Sequence, residues 1–222
     1  MVYHAINNFC TTEMSKLYVD ITKDRMYTEK TDSRLRRSAQ SAMWLILSAL
    51  TRLCAPIISF TAEEIWQSMA HLESDNAKSV FLNLMPEKNA EWDFAEIEAK
   101  WDKLLDLRDD VMKALEIARA EKKIGKSLDA KVSVYTSDSA VLELLGKFTE
   151  EELKTVFITS GAHVVDGTAP EGAYIPEEAK IAVLVENADG ERCDRCWCYS
   201  TEGEKTEDGF VCSRCKKILA SL

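Results

Sequence analysis

At 222 residues, with 46% hydrophobic and 30% charged side chains, the chain has the make-up of a soluble globular protein, and only four prolines and eight glycines speak against a long flexible linker. No apolar run approaches the roughly 20 residues of a membrane span, and Met1-Val2-Tyr3-His4-Ala5-Ile6 lacks the basic and apolar regions of a signal peptide, so a cytoplasmic protein without membrane contact is expected. The net charge of −10 excludes a broadly basic surface; any contact with nucleic acid must use a local patch or a partner domain.

The first elements are helical. Tyr3, Ile6, Cys10, Met14, Leu17 and Ile21 recur at three- and four-residue steps, the stripe of an amphipathic helix. After a break at 28–32, Leu35, Ala39, Ala42, Ile46, Leu50 and Leu53 repeat the pattern, and Ala55-Pro56 closes the second helix. Thr61 with Glu64 predicts a capping box and Phe60 with Ile65 a hydrophobic staple, opening a third helix through Trp66 and Met69. Asp93 with Glu96 and Trp92 with Ile97 predict the same device at the head of a long fourth helix through Trp101, Leu104, Val111, Leu115 and Ala118. Lys122-Lys123 followed by Gly125 reads as its stop. Four striped helices predict a bundle over 1–125, with Cys10 and Cys54 as inert core thiols.

The pattern then changes. Residues 130–136 alternate as a strand with Val132, Val134 and Thr136 on one face; 139–147 and 150–154 read as short helices, and 156–160 and 181–186 as further strands. This predicts a small α+β unit over 126–189, packed against the fourth helix. From Gly190 the chain turns cysteine-rich, and a third unit is expected over 190–222. The fold class is thus mainly α with a small α+β unit, ending in a zinc ribbon or knuckle.

Five of the seven cysteines fall between 193 and 215. Cys193-x2-Cys196, fifteen residues, then Cys212-x2-Cys215 is the spacing of a four-cysteine zinc site, in which two thiolate pairs meet one tetrahedral ion at roughly 2.3 Å. Glu207-Asp208-Gly209 supplies the turn between the pairs. So short and polar a segment cannot bury a core, so the metal must provide its folding free energy. Four thiolates leave no open position for water, which makes the single Zn2+ structural rather than hydrolytic. The competing arrangements are disulfides or free thiols, and Cys198 is a spare sulfur that could exchange into the ligand set.

Several stretches together resemble a known family. Lys23-Asp24-Arg25-Met26-Tyr27-Thr28, the run from Ala55-Pro56-Ile57-Ile58 through Glu63-Glu64-Ile65-Trp66, and Arg119-Ala120-Glu121-Lys122-Lys123-Ile124-Gly125 stand in the order seen in bacterial isoleucyl-tRNA synthetases. So do Glu191-Arg192-Cys193-Asp194-Arg195-Cys196-Trp197-Cys198-Tyr199 and Val211-Cys212-Ser213-Arg214-Cys215. The resemblance covers essentially the whole chain. It implies the anticodon-binding part of an enzyme that joins isoleucine to its tRNA through an adenylate made from ATP. The class I signatures His-Ile-Gly-His and Lys-Met-Ser-Lys-Ser are absent, and Met14-Ser15-Lys16 lies in a helical stripe. The resemblance therefore implies a carboxy-terminal piece of a monomeric enzyme, with Met1 an introduced start. ATP and the catalytic and editing domains would belong to the rest of the enzyme, and this piece alone is expected to charge no tRNA.

RNA loops are read by stacking on aromatic and guanidinium planes. Arg195 and Trp197 bracket Cys196, so a metal would hold both on one turn, and the resemblance associates the matching pair with the anticodon loop. The alternative is that Trp197 packs on the hairpin and Arg195 is solvated. Arg214, Lys216 and Lys217 are candidates for nearby phosphates, or else a solvated charged end. Arg34, Arg36, Arg37 and Arg52 give the second helix a basic side that could follow the anticodon stem.

Other features carry less. Gly125-Lys126-Ser127 echoes a phosphate loop, but the required earlier glycine is Ala120 and a helix precedes it. Trp44, Trp66, Trp92 and Trp101 read as core or staple residues, His4, His71 and His163 as isolated, and Asp109-Asp110 as a solvated face. Two rival functions share the zinc hairpin: a DNA-glycosylase type of nucleic-acid binder, which needs an amino-terminal Pro-Glu where this chain has Val2-Tyr3, and a protein-binding zinc-ribbon adaptor.

Overall fold

Helical periodicity governs the first half of the computed structural model, which describes residues 2–177, 180–207 and 209–221. Helix α1 (Val2–Asn8) runs through a π-helical stretch (Phe9–Val19) into α2 (Asp20–Thr28). Helices α3 (Arg34–Cys54) and α4 (Ser59–Ser68) follow, with α2 and α4 both packed on α3. Thr22 and Thr28 are the buried side chains of α2, and each turns its hydroxyl back onto the helix, donating to the carbonyls of Tyr18 and Asp24. No described residue of α1 or the π-helical stretch is buried.

Trp66, Ala62, Ala55 and Val80 form the buried cluster of this first unit, with Met69 against it. The Trp66 indole N–H donates to the Asn76 carbonyl at 3.1 Å, so the largest apolar side chain leaves no orphaned donor. The Glu63 carboxylate draws the loop after α4 back onto the helix, accepting the Ser79 hydroxyl at 2.9 Å and the Val80 N–H at 3.0 Å.

Both predicted capping boxes in this half are corrected. The N–H groups of Ile57 and Ile58 both close on the Cys54 carbonyl, and this tight turn winds the chain into α4 at Ser59. Thr61 is therefore already inside the helix, the cap position is Ile58 with no side-chain bond, and Phe60 is 93% exposed, which removes the staple. Helix α5 (Ala95–Ala120) likewise starts from Phe94 without a side-chain cap. Asn89 instead caps a short 3-10 turn (Ala90–Trp92) by accepting the Glu91 N–H, and Trp92 and Ile97 are both exposed.

The chain divides into two compact units, Met1–Asp93 and Phe94–Leu222. Helix α5 belongs with the second, so the expected boundary at 125 falls inside that unit. Its stripe of Leu104, Leu107, Val111, Ala114, Leu115 and Ala118 shares one core with a three-stranded sheet. Strand β1 (Ala130–Thr136) is central: it pairs in parallel with β2 (Gly161–Asp166) and antiparallel with β3 (Ala182–Asn187). Ala130, Val132, Val134 and Thr136 are buried, as the alternation predicts.

Helices α6 (Ser139–Leu145) and α7 (Glu150–Phe157) make the crossover between β1 and β2. A capping box with the Thr149-x-x-Glu152 spacing opens α7: the Thr149 hydroxyl accepts the Glu152 N–H, and the Glu152 carboxylate accepts the Thr149 N–H. Residues 156–157, expected in a strand, continue this helix, because Leu153, Val156 and Phe157 all face the core on a helical spacing. Ile158 turns left-handed to end it, and the strand begins only at Gly161. Arg108 enters the same core and donates to the Val156 carbonyl at 2.9 Å, serving one of the unpaired acceptors at the end of α7.

Helix α5 stops earlier than Gly125 suggests. Lys122 adopts the left-handed conformation at φ 60°, the Lys123 N–H donates to the Ala118 carbonyl and the Lys122 N–H to that of Arg119. This is the Schellman pattern with lysine where glycine is usual.

Candidate metal centre

Two short hairpins and one helix build the cysteine-rich end. Strands β4 (Glu191–Arg192) and β5 (Tyr199–Ser200) pair across the first Cys-x2-Cys turn, and β6 (Gly203–Thr206) pairs with β7 (Gly209–Cys212). Helix α8 (Ser213–Leu219) follows directly, which places Cys215 in its first turn. Asp208 of the expected turn lies outside the described residues. Gly209 has φ 121°, and a Cβ there would collide with the Asp194 carboxylate, so the position admits only glycine. Asp194 joins the hairpins: its backbone N–H donates to the Phe210 carbonyl, and its carboxylate accepts the Phe210 N–H, each at 2.9 Å.

The structure brings Cys193, Cys196, Cys212 and Cys215 together with all four sulfurs within 4.8 Å of one another. Cys196 and Cys212 Sγ stand 3.8 Å apart. That is far longer than the disulfide bond of about 2.0 Å and close to the sulfur spacing of about 3.8 Å that a tetrahedron with bonds of about 2.3 Å requires. The Cys212 N–H points at the Cys193 sulfur at 3.4 Å, a donor arranged to support negative charge there. Cys193, Cys212 and Cys215 are buried.

Charge in this cluster is contested. Hydrogen bonds from Cys198 and then Cys215 drive the Cys196 thiol far below the ordinary cysteine value. The hydrogen bond to Cys196, together with burial, pushes Cys215 far above it, and burial raises Cys212. Sulfurs packed this closely cannot all be anionic on their own. A divalent cation at their centre removes the conflict, so the donor set and its spacing fit a tetrahedral metal bound by thiolates.

Each residue singled out for RNA has a definite place. Trp197 is 58% exposed and left-handed at φ 66°, held there by its own N–H donating to the Cys193 carbonyl and by the Cys193 N–H donating to the Cys198 carbonyl. Arg195 is half-buried beside the cluster, where it lowers the Cys215 thiol against the larger effects that raise it, and its Nη1 is buried without a hydrogen-bond partner. Arg214 is half-buried and lowers the Cys196 thiol by its charge. Lys216 is exposed and paired with Glu204, and Lys217 is exposed. Cys198 stands outside the four-sulfur group, as a hydrogen-bonding neighbour of Cys196. On α3, Arg36 turns to the Glu29 carbonyl and Arg52 to Ser48, while Arg34 and Arg37 are exposed.

Residue patterns alone give no sign of how the cysteine-rich end is attached. Ser160, just before β2, donates to the Leu128 carbonyl at 2.5 Å and accepts the Tyr199 N–H at 2.8 Å. Beside that joint lies a cleft of about 450 Å³ lined by Arg119, Lys122, Lys123, Asp129, Asn187 and Tyr199, with Ile124 and Gly125. The signal for it was the basic end of α5, which as sequence reads equally well as a helix stop.

Among the described residues no helix is long and apolar enough to cross a membrane. Residues 1–134 match the family model described as the anticodon-binding domain of tRNA ligase. Along nearly its whole length the chain is similar to proteins named isoleucine–tRNA ligase. It is 46% identical over 216 residues to that of Caldanaerobacter subterraneus subsp. tengcongensis, with 96% of this chain covered. It is 45% identical over 222 residues to that of Syntrophotalea carbinolica, with 99% covered. For Caldicellulosiruptor saccharolyticus the identity is 44% over 223 residues, with 98% covered. The chain spans 23% of the length of each of these relatives.

Proposed function

This chain belongs to the family of anticodon-binding domains of tRNA ligases, and on that premise we propose that it is the carboxy-terminal, tRNA-reading part of an isoleucine–tRNA ligase. The partner is the anticodon stem-loop of an isoleucine tRNA. Making the adenylate from isoleucine and ATP, and editing, belong to the remaining domains of a monomeric cytoplasmic enzyme. The chain itself charges no tRNA, since neither class I signature occurs in it.

The observation that carries this reading is Trp197, a large aromatic ring left in solvent directly after Cys196 of the sulfur cluster, its N–H closing the turn onto Cys193. Cys193, Cys196, Cys212 and Cys215 hold one Zn2+, whose role is to fix the shape of the segment, and no open position is left for chemistry. Trp197 then offers a stacking face to an unpaired base. Arg195 steadies the cluster and borders that face, while Lys217, Arg214 and Lys216 lie on or beside α8, where phosphates would pass. A DNA-glycosylase finger or a protein adaptor would account for the knuckle alone; the anticodon-binding family accounts for the first 134 residues as well.

Metal analysis of the purified chain, paired with binding to an isoleucine tRNA and to the same tRNA with an exchanged anticodon, tests the reading. One zinc per chain and weaker binding of the exchanged tRNA are expected. Metal-free protein, or equal affinity for the two, would overturn it.

A further inference from the structure

We infer that the cleft at the end of α5 is a second RNA subsite, which takes one unpaired nucleotide of the loop that Trp197 meets; this rests on the tRNA-reading function proposed above. In a chain of net charge −10, three cationic side chains converge on it, against the Asp129 carboxylate. Lys123 is tied to Glu121 at 2.8 Å and Arg119 to Ser127 at 3.0 Å, which sets both at the rim. Lys122 sits at the left-handed residue of the Schellman turn, where glycine would carry less strain. Among the described residues of this unit Trp197 is the other exposed side chain held left-handed. Each keeps a long side chain on the surface at a conformational cost.

The cleft is a built site. The Ala188 N–H donates to the Asp129 carbonyl at 2.7 Å, the Asp129 carboxylate accepts the Lys126 N–H at 2.7 Å, and Ser160 fixes Tyr199 opposite. These bonds tie together its three walls, the α5 turn, the end of β3 and the cysteine-rich hairpin. A volume of about 450 Å³ accommodates one nucleotide. The cations suit its phosphate, the Tyr199 ring a base face, and the Asn187 amide a base edge. Tyr199 is two residues from Trp197 along the chain, so successive loop nucleotides can reach both.

The test uses the zinc-loaded chain and a synthetic anticodon stem-loop of an isoleucine tRNA, with affinity measured across a salt series. Lys122→Gly keeps the left-handed turn, and Lys123→Gln removes an exposed charge and its pairing with Glu121; together they should flatten the dependence of log affinity on log salt by about 0.7 for each phosphate that no longer meets a cation. Tyr199→Leu, whose backbone N–H still reaches Ser160, should weaken binding about 5- to 150-fold. A fully paired RNA duplex should bind all variants as it binds the parent chain. Unaltered zinc content and thermal unfolding establish that each variant is folded. If these variants bind the stem-loop normally while Trp197→Ala weakens it, the subsite is refuted and the tRNA-reading function stands. Equal losses on the duplex also refute the subsite. If the parent chain fails to bind the stem-loop at low salt, both fall.

Discussion

Ser160 and Tyr199 form the seam between sheet and cysteine-rich end: one hydroxyl accepts the Tyr199 N–H at 2.8 Å and donates to the Leu128 carbonyl at 2.5 Å. Few residues connect the two parts, so this side chain has more influence than its size suggests. Ser160→Ala should leave a donor and an acceptor unpaired at a partly buried joint and destabilise the second unit by about 1–2 kcal/mol. Hydrogen exchange at the Tyr199 amide should accelerate more than exchange at β1. Unchanged protection at Tyr199 would show that the hairpin is held by other interactions.

Metal removal should act locally. Among the described residues from 190 onward only Phe210 and Ile218 are buried apolar side chains besides cysteines, whereas α5 and the sheet share a large core. A chelator should therefore unfold β6, β7 and α8 and leave the sheet resonances in place, read by two-dimensional NMR. Cys212→Ser should do the same without chelator.

Trp197 separates stability from binding. Replacing a left-handed tryptophan by glycine relieves backbone strain of about 1–2 kcal/mol, offset in part by the greater freedom of glycine in the unfolded chain. Trp197→Gly should thus bind zinc and unfold no earlier than the parent chain, yet lose the roughly 1–3 kcal/mol of stacking on an RNA loop. Trp197→Ala should lose the same binding while retaining the strain. Denaturation and RNA titration of the two variants side by side check the separation.

Glu63 links the first unit to pH. The Ser79 hydroxyl, with help from the Val80 N–H and Gln67, holds its carboxyl below the ordinary glutamate value, so the folded state favours the anion. The stabilisation is complete above the unfolded carboxyl's pKa and is lost as pH falls through the lower folded value. Glu63→Gln should flatten that part of the acid-unfolding curve, and hydrogen exchange at Val80 should rise at neutral pH. A variant with the parent's acid profile would exclude this carboxylate as the source.

What could be read without a structure was what repeats or has a fixed spacing. The stripe of α5, the alternation of β1 and the two Cys-x2-Cys pairs are periodic or local, and each appears where its spacing places it; α3 forms as a helix, but of its stripe only Ala39 is buried, and Leu35 and Leu53 are exposed. The Asp93 and Glu96 pair, by contrast, has the composition of a cap, but the backbone between them does not take the cap's geometry. Trp92 and Trp101, expected in core or staple positions, remain substantially exposed, whereas Trp66 is fully buried.

By itself the sequence determined most of the helices and the central strand, the sulfur quartet and the kinship, because those depend on residue identity at short separations. Tertiary structure alone decided that Arg195 lies beside the Cys215 sulfur, and that Ser160, Asp129, Asn187 and Tyr199 meet beside Lys122. These neighbours come from segments up to 80 residues apart (Arg119 to Tyr199). They are set by how a shared core and a few buried hydrogen bonds close the chain on itself, which no local pattern encodes.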